Sequence, residues 1–98
     1  MEYKNILLSV DNGIGLLTIN RPKVLNALNV ETLKELQAAI QEVKGDPAIK
    51  VLIITGAGDK AFVAGADIQE MKEMNAVAAL TFSKLGHETM KMIQDLDR

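Results

Sequence analysis

The chain has 98 residues, of which 48% are hydrophobic and 24% are charged, and its formal net charge is −2. This balance predicts one small soluble domain and excludes an intrinsically disordered chain. The lack of cysteine excludes disulfides, thiolate metal sites and a cysteine nucleophile, and we assign no metal-ligating residue. Because the sequence has no basic cluster, nucleic acid is not expected as a partner.

The sequence also bears on where the protein works. No apolar run approaches the roughly 20 residues of a membrane helix. The N-terminus "MEYKNILLSV" lacks the basic flank, the sustained apolar region and the small-residue cleavage site of a secretory signal. We therefore predict a cytoplasmic or matrix-like location and no membrane partner.

The chain begins with the pattern of a β-hairpin followed by a loop. Residues 5–10 ("NILLSV") and 14–19 ("IGLLTI") are apolar runs, and the Asn12-Gly13 pair between them tolerates the positive φ angles of a tight turn. Pro22 then stops the second strand, and the asparagines of "NRPKVLNALN" favour a loop.

A helix and a strand are predicted next. Between Glu31 and Lys44 the apolar residues recur at steps of three and four, which indicates an amphipathic helix that starts near Asn29 or Val30 and ends before Gly45. Its apolar positions are Leu33, Leu36, Ile40 and Val43. The β-branched run "IKVLIIT" that follows is typical of a strand buried on both faces. Such a strand needs more layers than the other predicted elements supply, so we expect an incomplete domain.

The remaining third predicts a turn, a short helix and a long helix. The segment "GAGDKAFVAGADI" is expected to form a turn and short extended backbone, and Asp67 and Glu70 have the spacing of a capping box. A longer helix runs from about Asn75 to the end of the chain, with Gly86 as a weak point inside it. Its apolar stripe consists of Phe82, Leu85, Met92 and Leu96.

Side chains that commonly perform catalysis are few. His87 is the only histidine, and an exposed structural role is favoured because nothing nearby supplies the partners of a general base. Asp67 could be a base, but a capping role would occupy its carboxylate. Glu70 and Glu73 are interpreted as solvated charges. The methionines could line an acyl pocket, although core filling is the commoner role: Met71, Met74, Met90 and Met92.

A glycine pattern after the third strand is similar to a dinucleotide-binding fingerprint. In that fingerprint the glycines open a helix at once, whereas here "GAGDKA" continues as the apolar segment "FVAG". We therefore interpret Asp59-Lys60 as the tip of a turn.

The small residues of "AFVAGADIQEM" offer a different kind of site. Ala64, Gly65 and Ala66 would let a ligand approach the main chain closely. Backbone N–H groups just before the helix expected at Asp67 are suited to hold an oxygen that becomes negative during a reaction. Small residues also serve tight packing, so both interpretations stay open at this point.

Three segments together resemble the N-terminal part of the enoyl-CoA hydratase, or crotonase, family: "LLTINRPKVLNALN", "VLIITGAGDKAFVAGADIQEM" and the helix between them. The order and separation of "NRPKVLNAL" and "FVAGADI" make the resemblance specific. It implies an α/β fold, the crotonase-like spiral of strand-strand-helix units, with residues 1–98 forming only its N-terminal part. It also implies a homo-oligomer, a trimer or hexamer, that acts on acyl-CoA thioesters, with coenzyme A as part of the substrate rather than a tightly bound cofactor.

The resemblance further implies roles for single residues. The backbone N–H of Ala66 would be one of two donors to the thioester oxygen, in the oxyanion hole. Residues on both segments would contact the coenzyme A moiety: Ala64, Gly65, Ala66, Asp67 and Ile68 around the adenine and pantetheine, and Lys23, Leu25 and Ala27 from the "RPKVLNAL" loop. Family members often carry a basic residue where this chain has Gln69, which cannot pair with a phosphate, so Lys72 or Lys23 would have to replace it.

The leading interpretation is the acyl-CoA-binding part of an enoyl-CoA hydratase, which adds water across the double bond of a 2-enoyl-CoA. The resemblance places the second oxyanion donor and two catalytic glutamates after Arg98, so we expect the 98-residue chain to be inactive alone and activity to belong to a longer parent. Alternatives are an isomerase, dehalogenase or decarboxylase of the same superfamily, or a non-catalytic CoA-binding or assembly module. An incomplete spiral would also expose strand edges, so we expect the isolated chain to be oligomeric or poorly folded.

Overall fold

The computed structural model describes residues 3–58, 65 and 67–96. The elements in chain order are β1 (Ile6–Asp11), β2 (Ile14–Ile19), a 3-10 helix (Pro22–Val24), α1 (Val30–Lys44), β3 (Val51–Gly56), α2 (Ile68–Lys72) and α3 (Ala76–Asp95). The three strands form one sheet in the order β1-β2-β3, and α1 connects β2 to β3.

The predicted hairpin is confirmed. Strands β1 and β2 pair in antiparallel register, with Ile6 opposite Ile19 and Asp11 opposite Ile14. Asn12 and Gly13 make the connection at φ angles of 51° and 79°, which is the left-handed backbone that a two-residue turn requires. Strand β3 then pairs with β2 in parallel.

Helix α1 covers one face of the sheet, and the core lies between them. The Asn29 side chain accepts a hydrogen bond from the Thr32 N–H at the start of α1, and Gly45 follows its last residue, so both predicted ends are confirmed. The apolar face of the helix meets the buried side chains of the hairpin. The core cluster consists of Ile6, Leu17, Ile19, Leu33, Leu36, Ala39 and Phe82.

Strand β3 corrects the prediction that it is buried on both faces. Leu52 and Ile54 pack against the core, whereas Val51 and Ile53 are 49% and 47% exposed. The reason is that α1 covers only one face of the sheet, and the alternating side chains of a strand then divide between core and surface. The exposed sheet face carries Ser9, Asp11, Thr18 and Thr55 together with five exposed apolar side chains: Leu7, Ile14, Leu16, Val51 and Ile53.

Helix α3 packs against α1, and its start is as predicted, because Asn75 caps it through the Ala78 N–H. Phe82 is buried and Leu85 partly buried, but the interface also contains Thr89, a fully buried polar residue that the apolar stripe did not predict. The Gln37 Nε2 donates to the Thr89 hydroxyl over 3.0 Å. No helix within the described residues combines the length and apolarity needed to cross a membrane.

Acidic side chains of α1 hold the segment that precedes β1. The Glu35 carboxylate accepts hydrogen bonds from the backbone N–H groups of Lys4 and Asn5 at 3.0 and 2.8 Å. The Tyr3 hydroxyl donates to Glu42 Oε1 over 2.9 Å. Burial, together with this bond and the negative charges of Glu42 and Glu35, raises the pKa of Tyr3 to about 12.

Candidate functional site

The fold brings together the two segments to which the family resemblance assigns the ligand contacts. The first is the 21–29 loop between β2 and α1, and the second is the 65–67 segment that precedes α2. The Leu28 N–H donates to the Gly65 carbonyl and the Leu28 carbonyl accepts from the Asp67 N–H, both over 2.7 Å. These two bonds fix the residues on either side of position 66. Ala64 and Ala66 themselves, like the Asp59-Lys60 turn, lie outside the described residues.

The predicted binding residues of the 21–29 loop occupy different environments. Lys23 is exposed on the 3-10 helix, Leu25 follows it with 45% of its surface exposed, and Ala27 is buried. Leu25 has a φ of 55°, which costs a non-glycine residue roughly 1–2 kcal/mol. A leucine held exposed in this conformation is a feature that the surrounding loop must impose.

Asn26, the next residue, has the same left-handed backbone and is held by side-chain hydrogen bonds. It is buried, with 1% of its surface exposed, and has a φ of 59°. Its Oδ1 accepts from the Arg21 N–H at 2.9 Å, and its Nδ2 donates to the Ala57 carbonyl at 2.9 Å. Asn26 therefore closes the loop upon itself and joins it to the residue that follows β3.

An ion pair makes a second connection between the segments. Arg21 Nη1 donates to Asp67 Oδ2 over 3.1 Å and to the Ala27 carbonyl over 2.6 Å. The sequence indicates no separate role for Arg21. It indicates a helix cap for the side chain of Asp67. Their ion pair was not predicted because the two residues are 46 positions apart in the sequence. The one sequence feature that could have drawn attention to Arg21 was its position beside Pro22 in a loop.

The capping box predicted at Asp67 is only half formed. The Asp67 carboxylate accepts from the Glu70 N–H over 3.2 Å, so the predicted cap is confirmed. The Glu70 side chain instead accepts from the Val30 N–H at the start of α1, over 2.8 Å. The Asp67 N–H is already bonded to Leu28, which leaves Glu70 to serve α1. The interpretation of Glu70 as a solvated charge is thus wrong, whereas Glu73 is exposed as expected.

Helix α2 is too short to have a substantial helix dipole. It has five residues, starting at Ile68, whose side chain, like that of Gln69, lies outside those described. Any anion held here would therefore depend on individual backbone N–H groups before Asp67, whose own N–H is bonded to Leu28, rather than on an extended helix dipole.

Gly65 borders an open apolar groove. Its φ of 113° is accessible to glycine and strained for other residues, and a Cβ added there would meet no heavy atom of the described residues within 4 Å. The groove has a volume of about 280 Å³. Its lining consists of Leu28, Leu33, Gly65, Phe82, Ser83, Gly86, His87 and Met90. His87 is exposed, as predicted, and lies at this groove.

A second groove, of about 440 Å³, runs beside the 3-10 helix. It is lined by Asn5, Asn20, Arg21, Pro22, Lys23 and Val24. Lys23 gives it an exposed cation, and Lys72 is exposed on α2. Within the described part of the chain, no group of three or more histidine, aspartate or glutamate side chains is placed to hold a metal ion.

Comparison with known proteins extends these observations. The family model described as "Enoyl-CoA hydratase/isomerase" matches residues 9–98. The short-chain-enoyl-CoA hydratase of Clostridium acetobutylicum and the crotonyl-CoA hydratase of Syntrophomonas wolfei are each 46% identical to this chain over all 98 residues. The chain spans 38% of the length of each of these relatives.

The fold is likewise similar to solved structures. An enoyl-CoA hydratase from Bacillus anthracis superposes with a TM-score of 0.92 at 32% identity, covering 95% of this chain and 36% of that protein. A structure described as an enoyl-CoA hydratase/carnithine racemase from Magnetospirillum magneticum gives 0.89 at 32% identity, covering 97% and 36%. The predicted crotonase-like α/β architecture, with its strand-strand-helix pattern, is confirmed. The chain belongs to the enoyl-CoA hydratase/isomerase family.

Proposed function

We propose that this chain is the acyl-CoA-binding part of an enzyme that adds water across the double bond of a 2-enoyl-CoA thioester. The observation that carries the proposal is the pair of 2.7 Å backbone bonds from Leu28 to Gly65 and Asp67. These bonds join the two segments whose residues would contact the thioester. The names of the two 46% identical relatives, both hydratases of enoyl-CoA substrates, support the reaction class.

The thioester oxygen is held by the backbone N–H of Ala66 in this proposal. An N–H group costs little reorganisation when it is fixed before the reaction, and it stabilises the charge that develops on the oxygen. The bonds that restrain Gly65 and Asp67 provide such fixation on both sides of Ala66. The absence of a side chain at Gly65 leaves room for close approach of the ligand.

The remaining parts of the ligand have matching surfaces. The groove at Gly65 offers Phe82 and Met90 as apolar walls for the acyl chain. The groove beside the 3-10 helix offers Lys23 as a cation for a phosphate of coenzyme A, in the place of the ion pair that Gln69 cannot form. Leu25, which is 45% exposed, would cover part of the coenzyme from the 21–29 loop.

Catalysis itself is proposed to need groups outside these 98 residues. The family resemblance assigns the second oxyanion donor and the two glutamates that deliver water to other segments. We therefore expect the purified chain to bind crotonyl-CoA without hydrating it. Calorimetric titration with crotonyl-CoA measures binding. Loss of the ultraviolet absorbance of the enoyl thioester measures hydration. Absence of binding by a chain whose cooperative thermal melting shows that it is folded refutes the proposal, and hydration by the chain alone refutes the assignment of acid-base groups elsewhere.

The amide of Ala66 can be tested directly. Replacement of Ala66 by lactic acid exchanges its N–H for an oxygen and keeps the side chain. We expect affinity for crotonyl-CoA to fall about tenfold, as for loss of one hydrogen bond to a polar ligand. The same exchange at Ala76 is the control, because the first N–H groups of a helix such as α3 have no helical acceptor. Because the ester at position 66 also weakens the Gly65 carbonyl as the acceptor of the Leu28 N–H, the loss supports the assignment only if the Leu28 amide keeps its protection from hydrogen exchange. Equal affinities of the two variants would contradict the assignment.

A further inference from the structure

We propose that Arg21 is a positioning residue that sets the alignment of the 21–29 loop with the 65–67 segment. The inference rests on the proposed function, since these are the segments expected to hold the thioester. Arg21 acts on the ligand through Asp67 and Ala27, the two residues that its guanidinium contacts.

A single nitrogen atom makes both contacts. Arg21 Nη1 lies 2.6 Å from the Ala27 carbonyl oxygen and 3.1 Å from Asp67 Oδ2. Hydrogen bonds that involve an ionised group are roughly twice as strong as neutral ones. One cation thus bonds to the loop and to the cap of α2 at the same point, and neither segment can shift without lengthening one of these bonds.

The burial of this ion pair distinguishes it from a surface pair. The side chains of Arg21 and Asp67 are 17% and 14% exposed, so solvent and salt screen their attraction less than at the surface. Lys91 and Asp95 form the contrasting case, since they are 3.9 Å apart on α3 and 77% and 63% exposed. Exposed pairs of that kind contribute little.

Asp67 transmits the restraint to the residue beside Ala66. Its Oδ1 accepts from the Glu70 N–H, and its own N–H donates to Leu28. A displacement of the Asp67 carboxylate therefore disturbs both the first turn of α2 and the backbone bond between the two segments. Loss of Arg21 should loosen this bond while leaving α1 and the sheet intact, because none of Arg21, Ala27 and Asp67 belongs to the apolar core cluster.

Looser alignment lowers affinity in a defined way. If only molecules with both segments in register bind the thioester, the apparent dissociation constant rises as the competent fraction falls. The effect on the ligand is then tied to local opening and is separate from global unfolding.

Hydrogen exchange by nuclear magnetic resonance tests the restraint without any ligand. In Arg21→Gln we expect the exchange rates of the Leu28 and Asp67 amides to rise at least about tenfold, and those of the buried α1 residues to stay within about twofold. Lys91→Gln is the matched control and should change neither set. Three results would each overturn the inference. The first is that the Leu28 and Asp67 amides are unprotected from exchange in the wild-type chain. The others are that their exchange rates do not change in Arg21→Gln, or that the rates rise equally throughout α1.

Binding of crotonyl-CoA separates failure of the inference from failure of the proposed function. We expect Arg21→Gln to bind about tenfold more weakly and Arg21→Lys to recover only part of the loss, because the lysine ammonium restores a charged donor on a side chain that ends one bond short of Nη1. Tight binding by Arg21→Gln, with wild-type binding intact, overturns the positioning role and leaves the function standing. A wild-type chain that does not bind refutes the function, and the exchange rates then decide whether Arg21 aligns the segments.

Discussion

Two junctions in this molecule are built from different forces. Helix α1 meets the sheet through apolar side chains such as Leu17 and Leu36, whereas the 21–29 loop meets the 65–67 segment through backbone bonds and the Arg21–Asp67 ion pair. Apolar burial is strong but non-directional, so it holds the layers together without defining positions closely. Hydrogen bonds require particular distances and angles, so they suit the place where a ligand must be aligned.

The largest expected effect comes from breaking the apolar junction. Leu17→Ala, at a fully buried position, should lower the free energy of unfolding by about 3 kcal/mol through lost burial and a new cavity. Leu16→Ala changes the neighbouring residue of the same strand, which is 38% exposed, and should cost less than about 1 kcal/mol. Urea denaturation measures both. Similar losses at the two positions would show that the exposed sheet face is covered in solution.

The loop conformation at Asn26 should give the next largest effect. Asn26→Ala removes the bonds to the Arg21 N–H and the Ala57 carbonyl and leaves alanine in a left-handed conformation, with an expected cost of about 2–3 kcal/mol. Asn12→Ala is the control, since Asn12 has a similar φ of 51° in an exposed turn. Its cost should be about 1 kcal/mol. Equal losses would mean that the buried hydrogen bonds contribute no net stability.

Glu70 tests the polar bond between α2 and α1. Glu70→Ala should cost about 1 kcal/mol, because the Val30 N–H loses its acceptor at the first residue of α1. Glu73→Ala, which changes an exposed residue just after α2, should stay within about 0.5 kcal/mol of the wild type. Thermal melting of both variants compares them, and a larger loss at Glu73 would contradict the assigned bond.

The smallest effect is expected from Tyr3, at the edge of the apolar junction, because its hydrogen bond to Glu42 is exposed and solvent screening reduces what the raised pKa contributes to stability. Its pKa is raised from 10.0 to about 12 in the folded chain, so the folded state keeps the phenolic proton to higher pH than the unfolded state. The stabilising contribution is complete below pH 10.0 and is lost as the pH rises toward 12. Tyr3→Phe should therefore lose less stability than the wild type over this range. A wild-type urea midpoint that falls no more steeply than that of Tyr3→Phe would contradict the prediction.

Much of the fold could be predicted because its signals are local. The Asn12-Gly13 turn and the caps at Asn29, Asp67 and Asn75 each depend on residues within a few positions of one another. Backbone conformation and capping hydrogen bonds are decided over such distances, so a short pattern is sufficient to identify them. The family resemblance was detectable for the related reason that two specific segments kept their order and separation.

The site was only partly predictable. The family resemblance implied that "NRPKVLNAL" and "FVAGADI" belong to one site, but nothing in the sequence indicated that Arg21 and Asn26 hold the segments together. The burial of Thr89 was not predicted, because its partner Gln37 is distant in the chain. Glu70 was misinterpreted as solvated for the same reason, since it bonds to the distant Val30 N–H. Whether a polar side chain is solvated or buried against a partner depends on which elements pack together.

The amino-acid sequence by itself thus determined the order of the main helices and strands, the caps at which α1, α2 and α3 begin, and the small-residue segment around Gly65, since periodicity, capping and glycine content act locally. The tertiary structure decided that β3 exposes one face, that Glu70 serves α1, and that Arg21 bonds to Asp67 across 46 positions. Those outcomes depend on which elements pack together. A buried polar atom bonds to a partner that is close in space, and that partner is often distant in the sequence.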